Sequence, residues 1–289
     1  MATRLHPTVA RILAEALTRL RRRHRKRWDR AAARPTPEHV HQLRVETRRL
    51  LALVELLRSA GVGDGVRKLR RSLKRRLDDF DPLRDLHISR ERLVALRDDV
   101  PDRDALLELW TQREQTLSRE LAGKLTSKRY RKLKKRLSRL QTALKSMARE
   151  QARESVAGTV RTLLQPLYQQ VLTRAQHART AAQVHRLRVA FKKFRYACEM
   201  LQAKLPGLTR TELQAMRRFH TLMGELQDTV VLRQAWQTDA PRAGVPPTRV
   251  RQVDRLLREQ QRQLLPRCRA AIAQVTRWEP SRLAQRRRS

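Results

Sequence analysis

Two short segments of the chain combine a histidine with closely spaced basic residues. They read VHQLRVETRRL at 40–50 and VHRLRVAFKKF at 184–194, and in each an Arg follows the His by three positions and a basic pair begins four positions later. Arg presents a planar fork of N–H donors, Lys a compact charge, and His one or two N–H donors according to its protonation. Such a set suits a ligand whose closely spaced anionic oxygens only accept hydrogen bonds.

Helical geometry gathers these basic residues on one stripe of each segment. At about 100° per residue, the His and the basic residues share one face and the apolar residues lie opposite. The stripe consists of His41, Arg44 and Arg48 in the first segment and of His185, Arg188, Lys192 and Arg195 in the second, with Arg49 and Lys193 flanking it. A charged face is often merely solvated, but solubility does not require the same spacing twice. The pattern therefore favours anion binding.

The two segments belong to a longer internal repeat. The histidines at 41 and 185 are offset by 144 positions, and LRD at 83–85 matches LQD at 226–228 at an offset of 143. We therefore predict two halves, 1–147 and 148–289, in a pseudo-twofold arrangement that brings equivalent helices face to face. Four further binding candidates occupy matching places, namely Lys74, Arg75, Arg217 and Arg218. The basic run at 128–136 could bind anions or could equally be a solvated face.

Helical periodicity runs along the whole chain, and Pro, Gly and capping residues divide it. In the first half we predict helices over about 7–32, 36–59 and 66–80, a fourth to about 98, a fifth from 101 to about 123 and a sixth from 127. In the second half we predict helices over about 153–180, 182–204 and 211–223, a short one to 236 and a final one to about 278. Breaks are expected at Asp81-Pro82 and Gly224, and a kink at Pro166. The predicted fold class is all-α, because Leu, Ala, Arg and Gln abound and favour helices over strands.

The charge of the chain points to polyanionic partners. There are 67 Lys and Arg against 28 Asp and Glu among 289 residues, a formal net charge of +39. Nucleic acid, polyphosphate, an anionic membrane surface and acidic protein are the candidates. The hydrophobic fraction of 40% argues against disorder.

Two expectations concern the compartment. No apolar run approaches a membrane span and no secretory leader is recognisable, so we expect a cytoplasmic protein without a membrane span. Cys198 and Cys268 are expected to be free thiols, because neither stands in a metal-binding or CxxC spacing.

The two segments, extended in the second half to VHRLRVAFKKFRYACEML and followed by LRD and LQD, resemble the CHAD family, the conserved histidine α-helical domain. The resemblance covers nearly the whole chain and implies a single CHAD domain over 1–289, two pseudo-twofold-related helical bundles around a basic central groove or pore. It also implies non-catalytic binding of inorganic polyphosphate and targeting to polyphosphate granules in bacteria. The family often has an Arg two residues after the basic pair. The second half has Arg195 there but the first has Leu51, which leaves the symmetry of the two contact sets open.

Two other functions remain open at this point. A metal-dependent polyphosphate or triphosphate hydrolase would need acids such as Glu55, Glu199, Asp85 and Asp228, although such acids more often pair with Arg or cap a helix. A nucleic-acid binder would suit the charge, and we expect non-specific binding to nucleic acid at low salt. Few aromatic residues are available for base stacking. We assign no catalytic residue, metal or cofactor, and we expect phosphate binding to strengthen as pH falls from about 8 to 6 if the two motif histidines become protonated.

Overall fold

The computed structural model describes residues 5–62, 64–96, 102–151 and 155–285, and the regular elements in these ranges are all helical. The α-helices are α1 (Pro7–Ala33), α2 (Pro37–Ser59), α3 (Asp64–Ala95), α4 (Arg103–Lys124), α5 (Ser127–Met147), α6 (Val156–Gln176), α7 (Ala181–Leu201), α8 (Arg210–Asp239), α9 (Pro247–Ala271) and α10 (Pro280–Leu283). Short 3₁₀ segments follow α7, α8 and α9. The prediction of an all-α fold is confirmed.

The two helices that carry the basic segments begin at similar caps. Thr36 accepts a hydrogen bond from the backbone N–H of His39 at the start of α2, and Thr180 accepts one from Gln183 at the start of α7. The Gln183 side chain also accepts from the Thr180 backbone N–H, which completes a capping box. Each Thr stands five residues before the motif histidine, so each basic segment starts in the second turn of its helix.

The predicted break at Asp81-Pro82 is wrong, because α3 continues through it. A proline inside a helix removes one backbone hydrogen bond and costs about 3 kcal/mol. Here Pro82 is exposed, whereas Phe80 and Leu83 on either side are almost completely buried. Burial of each large apolar side chain contributes roughly 2 kcal/mol, and this packing holds the two parts of α3 in one helix.

The predicted break at Gly224 is also wrong, because α8 is continuous over 30 residues. A glycine costs a helix only about 1 kcal/mol relative to Ala. Met223 and Leu226 next to it are buried in the main core, which offsets that cost.

Other helix ends differ from the predictions by small amounts. The last long helix becomes 3₁₀ over Ile272–Trp278, and α7 gives way to 3₁₀ over Gln202–Lys204. The start of α5 at Ser127 agrees with the prediction, and Pro166 lies inside α6. The predicted ends at 98, 101 and 153 lie outside the described residues.

Two apolar clusters support the fold, and each draws on both predicted halves. The main core includes the aromatic group of Phe191, Phe219 and Trp278, whose rings lie 4.6–5.4 Å apart. The second core contains Trp110 of α4 and Trp236 of α8. Because the cores join the halves, the chain folds around shared packing. The duplication itself stays a prediction.

Four helices surround the basic segments. α2 contacts α3 and α7, and α8 also contacts both α3 and α7. Each of the two motif helices therefore packs against the other and against a long neighbouring helix. This closed arrangement positions side chains from all four helices around one centre.

Two sequence-based expectations meet the structure outside this centre. Within the described ranges, no helix is long and apolar enough to cross a membrane. Cys198 and Cys268 are free thiols, as expected, and both are buried.

Candidate anion-binding site

The two basic stripes meet at the contact between α2 and α7. Burial lowers the pKa of Arg48 on α2 to about 10, and the nearby guanidinium groups of Arg44 and Arg188 add to the effect. Burial also lowers the pKa of Arg188 on α7, and Arg44 of the other helix contributes. The predicted residues of the two segments therefore form one set. We call the group of His41, Arg44, Arg48, His185, Arg188, Lys192 and Arg195 the central basic cluster.

Lys192 lies among the arginines of this cluster. Burial lowers its pKa well below the usual 10.5, and four arginines lower it further. These are Arg48, Arg188, Arg44 and Arg195. Like charges so close to one another destabilise the charged form. An anion placed among them would offset this repulsion.

Several polar groups of the cluster are buried without a partner. Within the described part of the chain, the Nε atoms of Arg48, Arg188 and Arg195 find no hydrogen-bond acceptor. An unsatisfied buried donor costs about 1–3 kcal/mol. An anion that reached these three donors would remove that cost.

Partial burial and nearby cations disfavour protonation of the histidines of the site. Burial lowers the pKa of His41 and of His185, and nearby cations lower them further, Arg84 and Lys192 at His41 and Arg188 at His185. A neutral imidazole still donates one hydrogen bond. It gains a second donor if a bound anion raises its pKa.

Acidic residues pair with Arg44 and Arg195 of the cluster. Arg44 donates to the Asp81 carboxylate from Nη2 at 2.5 Å and from Nε at 2.9 Å. Arg195 donates to Glu199 at 2.5 Å. The Asp81 side chain is 41% exposed, so an incoming anion can compete with it for Arg44.

The acids considered for hydrolysis are mostly engaged in ion pairs. Glu55 accepts from Arg70 at 2.7 Å and from Arg58 at 3.2 Å. Asp228 pairs with Arg92 at 3.4 Å. Among the residues that the structure describes, no group of three or more His, Cys, Asp or Glu side chains could hold a metal ion.

A cavity of about 260 Å³ opens beside the cluster. Its charged and aromatic lining residues are Arg48, Lys74, Lys192, Lys193, Tyr196, Asp78 and Asp81. Burial lowers the pKa of Lys193, and Lys74 is among the cations that add to this effect. The cavity therefore gives a ligand access to cations from three helices.

Comparison with known proteins identifies the family and supports the fold. The sequence profile of the CHAD domain matches residues 11–237. The chain belongs to the CHAD domain family. The crystal structure of the CHAD domain from the plant Ricinus communis is similar, with a TM-score of 0.73 at 23% identity over 94% of this chain and 93% of that one. No curated protein sequence matches significantly.

This CHAD domain does not bring all of the predicted residues to the centre. Arg49 donates to Glu46 at 2.7 Å, and its guanidinium carbon lies 5.9 Å from the ring centroid of Tyr196. Arg75 lines a different cleft between α3 and α5. Arg217 and Arg218 are exposed on α8. As binding residues these four stay predictions.

Three residues beside the central basic cluster were missed in the sequence. Tyr196 lies beneath the cations, with the guanidinium carbon of Arg195 4.7 Å and Nζ of Lys192 6.0 Å from its ring centroid. His220 of α8 has a pKa lowered to about 2 by burial and by Lys192, Arg188 and Arg195. Arg84 of α3 lies near His41 and Arg44.

Tyr196 and His220 were missed for one reason and Arg84 for another. At the predicted offsets, Tyr196 corresponds to Ala52 and His220 to Leu77, so a search for repeated residues passes over both. Arg84 lies within the LRD sequence that marked the repeat, and its charge was visible there. Only its distance from the basic segments concealed its role.

A glycine on α8 makes room for one of the arginines. A Cβ added at Gly224 would lie 3.3 Å from Nη2 and 3.5 Å from Nε of Arg188. Gly224 therefore allows the guanidinium of Arg188 to lie against the backbone of α8. This close approach explains why a residue that disfavours helices stands in the middle of α8.

Proposed function

We propose that this CHAD protein binds inorganic polyphosphate through the central basic cluster, does not catalyse a reaction, and is targeted to polyphosphate granules in the cytoplasm by that binding. The observation that carries the proposal is the set of buried, unpartnered arginine Nε donors around Lys192. They come from both basic segments. An anion with several charged oxygens would satisfy them together.

The shape of the site supports polyphosphate over a nucleic-acid duplex. The cavity beside the cluster has a volume of about 260 Å³. A B-DNA duplex is too bulky for that volume, because its major groove alone is about 12 Å wide. A duplex cannot enter such a space, but a single chain of phosphate groups can. The net charge of +39 still favours weak binding of nucleic acid to the outer surface at low salt.

Titration with polyphosphate of defined length tests the proposal. The variant Arg48→Gln/Arg188→Gln removes two of the unpartnered donors and should weaken binding at physiological salt by at least about tenfold. The control Arg251→Gln/Arg255→Gln removes the same charge from exposed positions on α9 and should bind nearly as the parent chain does. Equal losses in both variants would show that only net charge matters. Displacement of polyphosphate by duplex DNA at equal phosphate concentration would also overturn the ligand assignment.

The absence of catalysis is tested separately. We expect no orthophosphate release from polyphosphate in the presence of Mg²⁺ or Mn²⁺, since the candidate acids Glu55 and Asp228 pair with arginines. Release by the parent chain that disappears in Glu55→Gln/Asp85→Asn would establish a hydrolase instead.

A further inference from the structure

A second basic concavity lies between α3 and α5, on residues outside the two repeated segments. Its volume is about 590 Å³. One wall carries Lys68, Arg71 and Arg75 of α3, and the other carries Arg129, Lys132 and Arg136 of α5. Within each row the cations recur every three or four residues, so each row follows one face of its helix, about one turn apart. We call this concavity the α3–α5 cleft.

Among the described residues, the six cations of the two rows lack carboxylate partners. Eight of its ten lining residues are Lys or Arg and one is acidic. That acid, Asp79, is already paired with Arg76 at 3.0 Å. Within the described part of the chain, none of the six cations in the two rows has a carboxylate oxygen within 4 Å.

Apolar packing holds the two rows together against their repulsion. Leu73 and Leu77 of α3 and Leu133 and Leu137 of α5 are all buried in the main core. Rows that served solubility alone would be expected to point away from each other, because facing like charges raise the energy of the folded state. A concave surface of one sign instead concentrates the potential that attracts an anion.

The cleft and the central basic cluster lie on different sides of α3. Lys74 lines the central cavity, whereas its neighbour Arg75 lines the cleft. Consecutive residues of a helix point about 100° apart. The helix therefore separates two anion-attracting surfaces.

We propose that the α3–α5 cleft is a second anion site, which binds a linear phosphate chain independently of the central basic cluster. The cleft offers charged donors on two facing rows, the arrangement that a narrow chain of phosphates can contact from both sides. Among the described residues its lining contains no aromatic ring, so these residues offer no platform for stacked bases. The inference shares the ligand class of the proposed function but none of the residues of the central cluster, so either can fail alone.

Calorimetric titration of the full chain with tripolyphosphate at physiological salt tests this inference. The parent chain should bind two molecules. The variant Arg75→Gln/Lys132→Gln, with one change in each row, should lose one binding event or weaken it by about tenfold. The variant Arg48→Gln/Arg188→Gln should keep that event. The control Arg251→Gln/Arg255→Gln removes an equal charge from α9 and should keep both.

Each remaining outcome decides the matter. If the cleft variant matches the α9 control in stoichiometry and affinity, the cleft is not a site. If Arg48→Gln/Arg188→Gln abolishes all binding, the cleft does not bind on its own. If the cleft variant loses a binding event and Arg48→Gln/Arg188→Gln loses none, the cleft is confirmed as a site and the proposed function of the central basic cluster is wrong. If duplex DNA, but not tripolyphosphate, distinguishes the cleft variant from the α9 control, the ligand is nucleic acid and the inference fails.

Discussion

Single residues determine how strongly the central basic cluster attracts an anion. Most of its cations are partly buried, and burial is the largest cause of the lowered pKa of Arg48, Arg188 and Lys192. Asp81 is the acid within reach that a ligand must displace, because it accepts both hydrogen bonds from Arg44. Without a ligand, the cations of the site therefore repel one another, and a bound phosphate chain would reduce that repulsion.

Replacing Asp81 by Asn tests this competition. Asp81→Asn removes a negative charge that repels the ligand and leaves Arg44 free to bind it. We expect polyphosphate affinity to rise by about three- to tenfold in calorimetric titration, a change of about 1 kcal/mol. Glu120→Gln makes the same charge change at an exposed position of α4 and should have a much smaller effect. Unchanged or weaker binding by Asp81→Asn would show that the Arg44 pair is structural.

The motif histidines should make binding depend on pH. Burial, with nearby cations, lowers the pKa of His41 and His185 below 6.5 in the free protein, and a bound phosphate chain should raise both. The complex then holds more protons than the free protein, so affinity increases as pH falls through the bound-state pKa. The increase ends once pH is below the lowered pKa of the free state.

Titrations between about pH 8 and pH 5 measure this effect. The variant His41→Gln/His185→Gln should flatten most of the pH dependence while retaining affinity at high pH. A parent chain whose affinity is constant across this range would show that the histidines are structural.

At the level of helices, the long α3 carries residues for both basic surfaces. Lys74 and Arg84 of α3 lie at the central site, whereas Arg71 and Arg75 line the cleft. The continuity of α3 through Pro82 matters, because a break in the helix there would change the position of Asp81 relative to Arg84. Apolar burial on both sides of Pro82 maintains this continuity.

The cost of that proline should be measurable. Pro82→Ala restores a backbone N–H at an exposed helical position, and we expect the free energy of unfolding to rise by about 1–3 kcal/mol. Thermal or denaturant unfolding measures the change. Pro166→Ala in α6 provides a second interior proline for comparison. A decrease in stability would mean that a bend at Pro82 is needed for the packing of Phe80 and Leu83.

At the level of the whole molecule, the net charge of +39 opposes the compact state. The same repulsion between like charges acts locally between the facing rows of the cleft and among the cations around Lys192. Any polyanion that binds the folded chain relieves it. Ligand binding and folding stability should therefore be strongly coupled.

Salt should affect the free and bound protein in opposite ways. Added NaCl screens the repulsion within the free chain, so its melting temperature should rise between low and physiological salt. The further increase caused by saturating polyphosphate, about 3 kcal/mol at a hundred times Kd, should shrink as salt rises because binding releases counterions. Thermal unfolding with and without polyphosphate at several salt concentrations measures both. A ligand-induced increase that does not depend on salt would contradict an electrostatic mode of binding.

The amino-acid sequence by itself determined the all-α fold, the family and the core of the central site. Repeated spacing of His41 and His185 with their basic neighbours was sufficient, because helical geometry fixes which residues share a face. Helix continuity at Pro82 and Gly224 could not be read in the same way. Local propensity disfavours both, and buried contacts from other helices outweigh it.

Only the tertiary structure decided which cations meet. It placed Arg48 beside Arg188 across the α2–α7 contact, added Tyr196, His220 and Arg84, and turned Arg75 away to the α3–α5 cleft. The physical reason is that a helical pattern gives the direction of a side chain relative to its own axis. The neighbour that it faces depends on how the helices pack, which the main core determines through contacts between residues far apart in the chain.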